Sequence, residues 1–224
     1  MSHRFKSVLP IVTVMMCLTP LLRAQQSATS AGVLVPLVGL WRAGVEAGES
    51  TFTIDGTAAP KPNADHATTY FGATGGAFVT AASTPTIFPL AAHVPTKAFR
   101  GGVLRVEFKL IAGATDQTAG IAFNIQPDHS YLYARYNTKD GNVAIWKYEK
   151  GERTVLAHGE LHEQLPFGTW HTLRVITNDR EIRASVNDKF LVTHTVDRDV
   201  NGGVGLWTKA DSVTAFRRFA VTAR

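Results

Sequence analysis

Val103-Leu104-Arg105-Val106-Glu107-Phe108-Lys109-Leu110 decides the fold class. Leu104, Val106, Phe108 and Leu110 alternate with Val103, Arg105, Glu107 and Lys109. Side chains of a strand point to opposite faces in turn, so a greasy row is buried and a mainly charged row is left outside. The following run sorts similarly, with Ala119, Ile121, Phe123 and Ile125 on one side and Gly120, Ala122, Asn124 and Gln126 on the other. That second side is small and polar, as a ligand-facing sheet would be.

Working outward, Pro and Gly recur at short intervals and no long segment keeps the i, i+3, i+4 rhythm of a helix, which predicts an all-β chain. The clearest strands are expected at 103–110, 120–126, 131–136, 143–148, 173–177, 182–186, 190–196, 204–208 and 216–222, with earlier ones near Phe52, Tyr70, Phe78 and Ile87. Lys139-Asp140-Gly141-Asn142 and Asn187-Asp188-Lys189 separate apolar runs with residues that accept the positive φ angles of tight hairpins, so the strands are expected to be mostly antiparallel.

The chain has 224 residues, 45% hydrophobic and 18% charged, enough for one substantial core without a second domain. Its formal charge is +5. Arg4, Lys6 and Arg23 lie in the first 24 residues, which hold no acid; beyond them 20 Lys and Arg face 18 Asp and Glu, a net charge of about +2. With no basic run beyond Arg217-Arg218, nucleic acid and anionic membranes are not expected partners. His3, Arg4 and Lys6 precede an apolar stretch from Val8 to Leu22, and Leu22-Arg23-Ala24 ends on a small residue, the pattern of a signal peptide cleaved after Ala24. The stretch is short for a bilayer span, so no membrane span is expected after cleavage and the protein is expected in the periplasm or outside the cell. Cys17 is the sole cysteine, leaving the mature part without a disulfide or thiolate-bound metal. The domain organisation expected is a signal peptide over 1–24, a lead-in over 25–39 and one folded domain over 40–224, beginning near Leu40 and Trp41.

Several segments carry a family resemblance: Tyr131-Leu132-Tyr133-Ala134-Arg135-Tyr136-Asn137, Gly141-Asn142-Val143, Lys147, Gly151, Gly168-Thr169-Trp170-His171-Thr172-Leu173-Arg174-Val175, and Gly203-Val204-Gly205-Leu206-Trp207-Thr208-Lys209-Ala210-Asp211-Ser212. In that order they resemble the concanavalin A-like, laminin G-like jelly rolls of exported bacterial proteins, particularly the 3-keto-disaccharide hydrolase domain. The match spans roughly residues 99–222, and the segment from Gly205 to Ser212 is its most specific part. The resemblance implies a two-sheet antiparallel β-sandwich with a concave sheet for carbohydrate, and it implies function less sharply, because this sandwich hosts lectins, glycosidases and structural domains alike. Phe216-Arg217-Arg218-Phe219 departs from the acidic residues common before the last aromatic of relatives, which puts a carboxylate function or calcium ligand there in doubt. Laminin G-like domains often hold calcium; here Asp residues are scattered, so no cofactor is expected beyond the structural calcium that the resemblance alone suggests.

Sugars are held by aromatic faces and by planar or charged hydrogen-bonding groups. Asn124, Arg135, Asn137, Lys147, Trp207, Lys209 and Asp211 supply those types and are the candidate ligand-binding residues, with Tyr131 and Tyr133 in the same parity as Arg135. The alternative is structural: Trp207 and the tyrosines as core, with Arg135 and Asp211 as a buried pair. Trp41 and Trp170 are expected in the core, and parity does not decide whether Trp146 or Lys147 takes the ligand face.

Catalysis has less support in the residues. The Glu-x-Asp-x-x-Glu strand of family 16 glycosidases is missing, and the spaced acids Asp179 with Glu181 and Asp197 with Asp199 read as solvated surface. There is no Gly-x-Ser-x-Gly elbow and no phosphate-cradling glycine loop. His158 and His162 have the spacing of a helical zinc pair, but Gly159 and the loop expected there argue for exposed side chains. Resemblance to the 3-keto-disaccharide hydrolase domain keeps another chemistry open, in which Arg135 or Lys209 polarises a ketone and Asp211 or His171 takes the neighbouring proton. The expectations are therefore a carbohydrate-binding or surface-interaction module, and alternatively an enzyme acting on 3-keto-glycosides or related sugars.

Overall fold

A computed structural model describes residues 33–58, 63–72, 88–161 and 163–224. The expected signal peptide, the earlier part of the lead-in, the strands expected near Phe78 and Ile87, and His162 lie outside the described residues.

The described chain forms two seven-stranded sheets in which every neighbouring pair runs antiparallel. The first sheet contains, in chain order, β1 (Leu34–Val38), β4 (Leu90–His93), β6 (Thr118–Ile125), β7 (Tyr131–Asn137), β8 (Asn142–Glu149), β9 (Glu152–Glu160) and β13 (Gly203–Trp207). Its spatial order is β1-β4-β13-β6-β7-β8-β9. The second contains β2 (Trp41–Glu46), β3 (Glu49–Asp55), β5 (Gly102–Ala112), β10 (Trp170–Asn178), β11 (Glu181–Val186), β12 (Lys189–Thr195) and β14 (Val213–Ala223). They run in the order β12-β11-β10-β5-β14-β3-β2. The sheets stack face to face as a β-sandwich.

The alternation that opened the sequence reading is realised in β5: Leu104, Val106, Phe108 and Leu110 are buried between the sheets against Ile121, Phe123, Ile145 and Leu206. Burying each such side chain stabilises the sandwich by roughly 1.5–3 kcal/mol. A second apolar cluster occupies the opposite, outer face of the first sheet and gathers Leu37, Ala67, Tyr70, Phe88, Tyr131, Tyr133, Tyr148 and Trp207. The middle of that sheet is thus buried on both sides.

Several expectations are corrected. Leu34–Val38, within the lead-in, is a sheet strand, so the described sandwich starts before Leu40. Pro36 disguised it, and Pro is tolerated there because β1 is an edge strand. Tyr70 lies in a helix, α1 (Ala64–Phe71), whose N-cap Asn63 accepts a hydrogen bond from the His66 amide and whose Ala67 and Tyr70 point to the outer-face cluster. The loop expected around His158 and Gly159 is strand β9, polar because it closes the edge of the sheet; the His158 side chain is exposed. Ile125 does not follow Phe123 into the inter-sheet core. Asn124 takes a left-handed conformation (φ 54°) where the register to β13 shifts, and this bulge turns Ile125 to the outer face. Trp41 is core, stacked on Phe52 at 5.2 Å, but Trp170 is not. It lies on the outer face of the second sheet with the Lys109 ammonium 4.9 Å and the Arg217 guanidinium 4.1 Å from its ring centre.

Candidate functional site

The outer face of the first sheet is apolar and aromatic, with Tyr133 and Tyr148 buried and Trp146 and Arg153 half-buried. Over β13 and β6, Tyr70 of α1 reaches Gly203, and Phe88 stacks on Trp207 (5.9 Å, 13°) and meets Tyr148 edge-on. Over β7, β8 and β9 the face is an aromatic shelf. Val143 and Ile145 point to the core, so Ala144, Trp146 and Tyr148 point outward. Trp146 sits opposite Tyr133 in register, their ring planes nearly parallel (7°) with centroids 6.3 Å apart. Tyr133 in turn stacks on Trp207 at 4.0 Å. Gly120 makes room for this, since a Cβ there would meet Trp207 Cε3 at 2.9 Å. Arg153 rises from β9 with its guanidinium 5.1 Å from the Trp146 centroid and 4.7 Å from that of Phe88.

Two polar atoms on the shelf lack hydrogen-bond partners although both are buried, the Tyr133 hydroxyl and Trp146 Nε1. Arg153 approaches the Tyr133 hydroxyl without a well-formed hydrogen bond. Burial pushes the Tyr133 phenol up to about 12, against the opposing pull of the Arg153 and Arg135 charges.

Beside the shelf, at the end of β7, is a corner of paired charges. Arg135 is 7% exposed and donates to Asp140 (2.9 Å) and to the Asn142 side chain. Desolvation lowers its pKa, against the raising effect of Asp140. The Asn137 amide donates to both Asp116 and Asp140, each at 2.9 Å, and Asp116 also pairs with Lys209. Asp211 accepts from the amides of Ala114 (2.8 Å), Thr115 (2.9 Å) and Asp116 (2.9 Å), and Lys139 donates to the carbonyls of Ala114 and Thr115. Desolvation pushes the Asp211 carboxyl upward, but those amides outweigh it and hold the carboxyl below its ordinary value.

Of the seven residues expected from sequence, Arg135, Asn137, Lys209 and Asp211 gather in this corner. Arg135 and Asp211 do not form the buried pair that sequence offered as the alternative: Arg135 holds Asp140 and Asp211 holds backbone. Trp207 is fully buried, in the outer-face cluster and not between the sheets. Tyr131 and Tyr133 share the face of Arg135 but are buried also. Asn124 and Lys147 lie at the opposite end of the strands, lining a cleft of about 780 Å³ with Asp128, Glu149, His194 and Asp197. There Asn124 Oδ1 accepts from the Asn201 amide (3.0 Å) and from Gln126 (2.9 Å), work that fixes the bulge.

Trp146 is therefore on the outer face of the first sheet, and Lys147 is not. His171 faces the interior from the second sheet, 5.6 Å from the Phe108 ring, separated from the shelf by the first sheet. Burial lowers its pKa, partly offset by the Pro166 carbonyl. Arg217 and Arg218 clamp the buried Glu107. Among the described residues no three His, Asp or Glu side chains are grouped so as to hold a metal ion.

Sequence reasoning missed Asp116, Asp140 and Arg153. Asp116 joins through Lys209 and Asn137, distant in the chain; Asp140 is close to its partners but sits in a turn read only as a hairpin; and Arg153 follows Lys150-Gly151 in a strand whose polar edge character hid its alternation.

No family model matches the chain, and no curated protein matches it. Solved structures do. A carbohydrate-binding module, CBM66, from Bacillus subtilis superposes with a TM-score of 0.58 at 12% identity, over 83% of this chain and 92% of that one. A Bacillus subtilis protein of unknown function with a galectin-like fold gives 0.54 at 10% identity, over 84% and 87%. The β-glucanase of Bacillus licheniformis gives 0.54 at 11% identity, over 86% and 94%. The chain thus has the galectin-like, concanavalin-like jelly-roll fold; at these identities the likeness concerns fold alone.

Proposed function

We propose that this protein is an exported glycan-binding module that holds sugar on the outer face of β7, β8 and β9. The observation that carries the reading is the shelf itself: the half-buried Trp146 ring parallel to Tyr133, with a guanidinium over the Trp146 ring and two buried hydrogen-bonding atoms unfilled. Aromatic faces meet the C–H surfaces of a pyranose, and planar donors take its oxygens. Fold neighbours include both a carbohydrate-binding module and a glucanase, so the fold by itself favours neither binding nor hydrolysis.

The side chains around the shelf favour binding. General acid–base work needs a carboxylate or imidazole free to exchange a proton with the ligand. Asp116 and Asp140 are committed to Lys209, Arg135 and Asn137, Asp211 to three amides, and His171 lies behind the sheet. The test is calorimetric titration of the purified chain with a panel of oligosaccharides and 3-keto-glycosides, with product formation followed in parallel. Saturable binding without turnover, lost in Trp146→Ala, is the expected result; turnover of a 3-keto-glycoside would replace the module by an enzyme. Export is tested by sequencing the N-terminus of the protein recovered from the periplasm or medium, expected to begin at Gln25.

A further inference from the structure

Resting on that glycan-binding reading, we infer that the sugar taken by the shelf is acidic, with a carboxylate or sulfate oxyanion received by Arg153. The half-buried Arg153 guanidinium lies against Trp146 and Tyr133, whose Nε1 and hydroxyl are buried beneath it without hydrogen-bond partners. A guanidinium and an indole N–H can only donate, and a phenol donates as readily as it accepts. A ligand that completes this set must be rich in acceptors.

Charge sharpens the argument. Arg135 and Arg153 lie near enough to each other to repel, and both act on the Tyr133 hydroxyl. Arg135 has Asp140 as its counter-ion. Arg153 has no carboxylate within ion-pair distance among the described residues; it lies against the rings of Phe88 and Trp146 and the Tyr133 phenol. Across the face and its corner, Arg135, Lys139, Arg153 and Lys209 set four cations against the three carboxylates of Asp116, Asp140 and Asp211. The surplus positive charge therefore sits at Arg153, half-buried, where water screens it less than on an open surface. A planar guanidinium fits the two oxygens of a carboxylate, or two of a sulfate, in a paired hydrogen bond that a neutral hydroxyl does not offer.

The test compares ligands that differ only in the oxyanion. Calorimetric titration of the purified chain would use a uronate oligosaccharide, the same oligosaccharide with its carboxyls reduced to alcohols, a sulfated neutral oligosaccharide and its unsulfated parent. An acidic ligand is expected to bind at least about tenfold tighter than its neutral partner, with a preference that shrinks as salt is raised. The uronate and sulfate arms identify the source of the oxyanion. Arg153→Gln should abolish the preference, and Arg153→Lys should restore part of it. Equal affinity within both pairs, or a preference intact in Arg153→Gln, would overturn the acidic-sugar inference and leave the glycan-binding reading standing. Silence from all four sugars would overturn both. The comparison of ligand pairs on the unmodified protein decides the matter even if an Arg153 variant does not fold.

Discussion

Asp211 carries more structural weight than its position near the surface suggests. One carboxylate receives three successive amides of the Ala114–Asp116 turn, and in doing so fixes Asp116, the partner of Lys209 and Asn137. Asp211→Ala should lower the unfolding free energy by about 2 kcal/mol, read as a reduced urea midpoint at unchanged slope. The folded-state carboxyl titrates below its ordinary value of 3.8, so the unfolded chain binds its proton first as pH falls. The Asp211 contribution is therefore complete above the ordinary value and fades as pH drops through the folded-state value. The stability gap between the protein and Asp211→Asn should accordingly be full at about pH 6 and should narrow on acidification toward about pH 2.5. Residue types at this corner were legible in the sequence: Arg135, Asn137, Lys209 and Asp211 stood out as polar groups in a strand-rich context. Their partners were not, because side-chain parity gives a face and says nothing about which loop closes over it.

At the level of strands and helix, α1 and β13 meet at close quarters on the outer face. A Cβ at Gly203 would collide with the Tyr70 hydroxyl, which donates to the Thr96 carbonyl, while Lys97 reaches the Tyr70 carbonyl. Gly203→Ala should destabilise the protein by about 1–3 kcal/mol through overpacking. Adding Tyr70→Phe removes the colliding oxygen and should recover part of that loss, a non-additive cycle measurable by urea unfolding. Strands with one buried row, such as β5 and β10, could be read directly from alternation. Those that escaped have physical reasons: β1 carries Pro36 at an edge, β9 exposes much of both faces, and the bulge at Asn124 breaks parity within a strand. Tyr70 shows the converse, an aromatic that suits a strand but sits on a short helix because Asn63 caps it.

For the whole molecule, the first sheet belongs to two apolar clusters at once, one between the sheets and one beneath α1 and Phe88. Loss of either exposes the same strands, so the two clusters should melt together. Calorimetry and far-ultraviolet circular dichroism are expected to give one coincident transition, with a midpoint unmoved by dithiothreitol because Cys17 is the sole cysteine. Separate transitions would show that the outer cluster is a detachable layer.

The four tryptophans occupy four different surroundings: Trp41 between the sheets, Trp207 under Phe88, Trp170 beneath Lys109 and Arg217, and Trp146 on the shelf. The protein consequently carries its own optical reporter. Trp41 and Trp207 are sealed in apolar packing and should emit at short wavelength, indifferent to what the surface meets. Ligand arriving on the shelf should alter the emission of Trp146 alone, and Trp146→Phe should erase that response while leaving the rest of the spectrum in place.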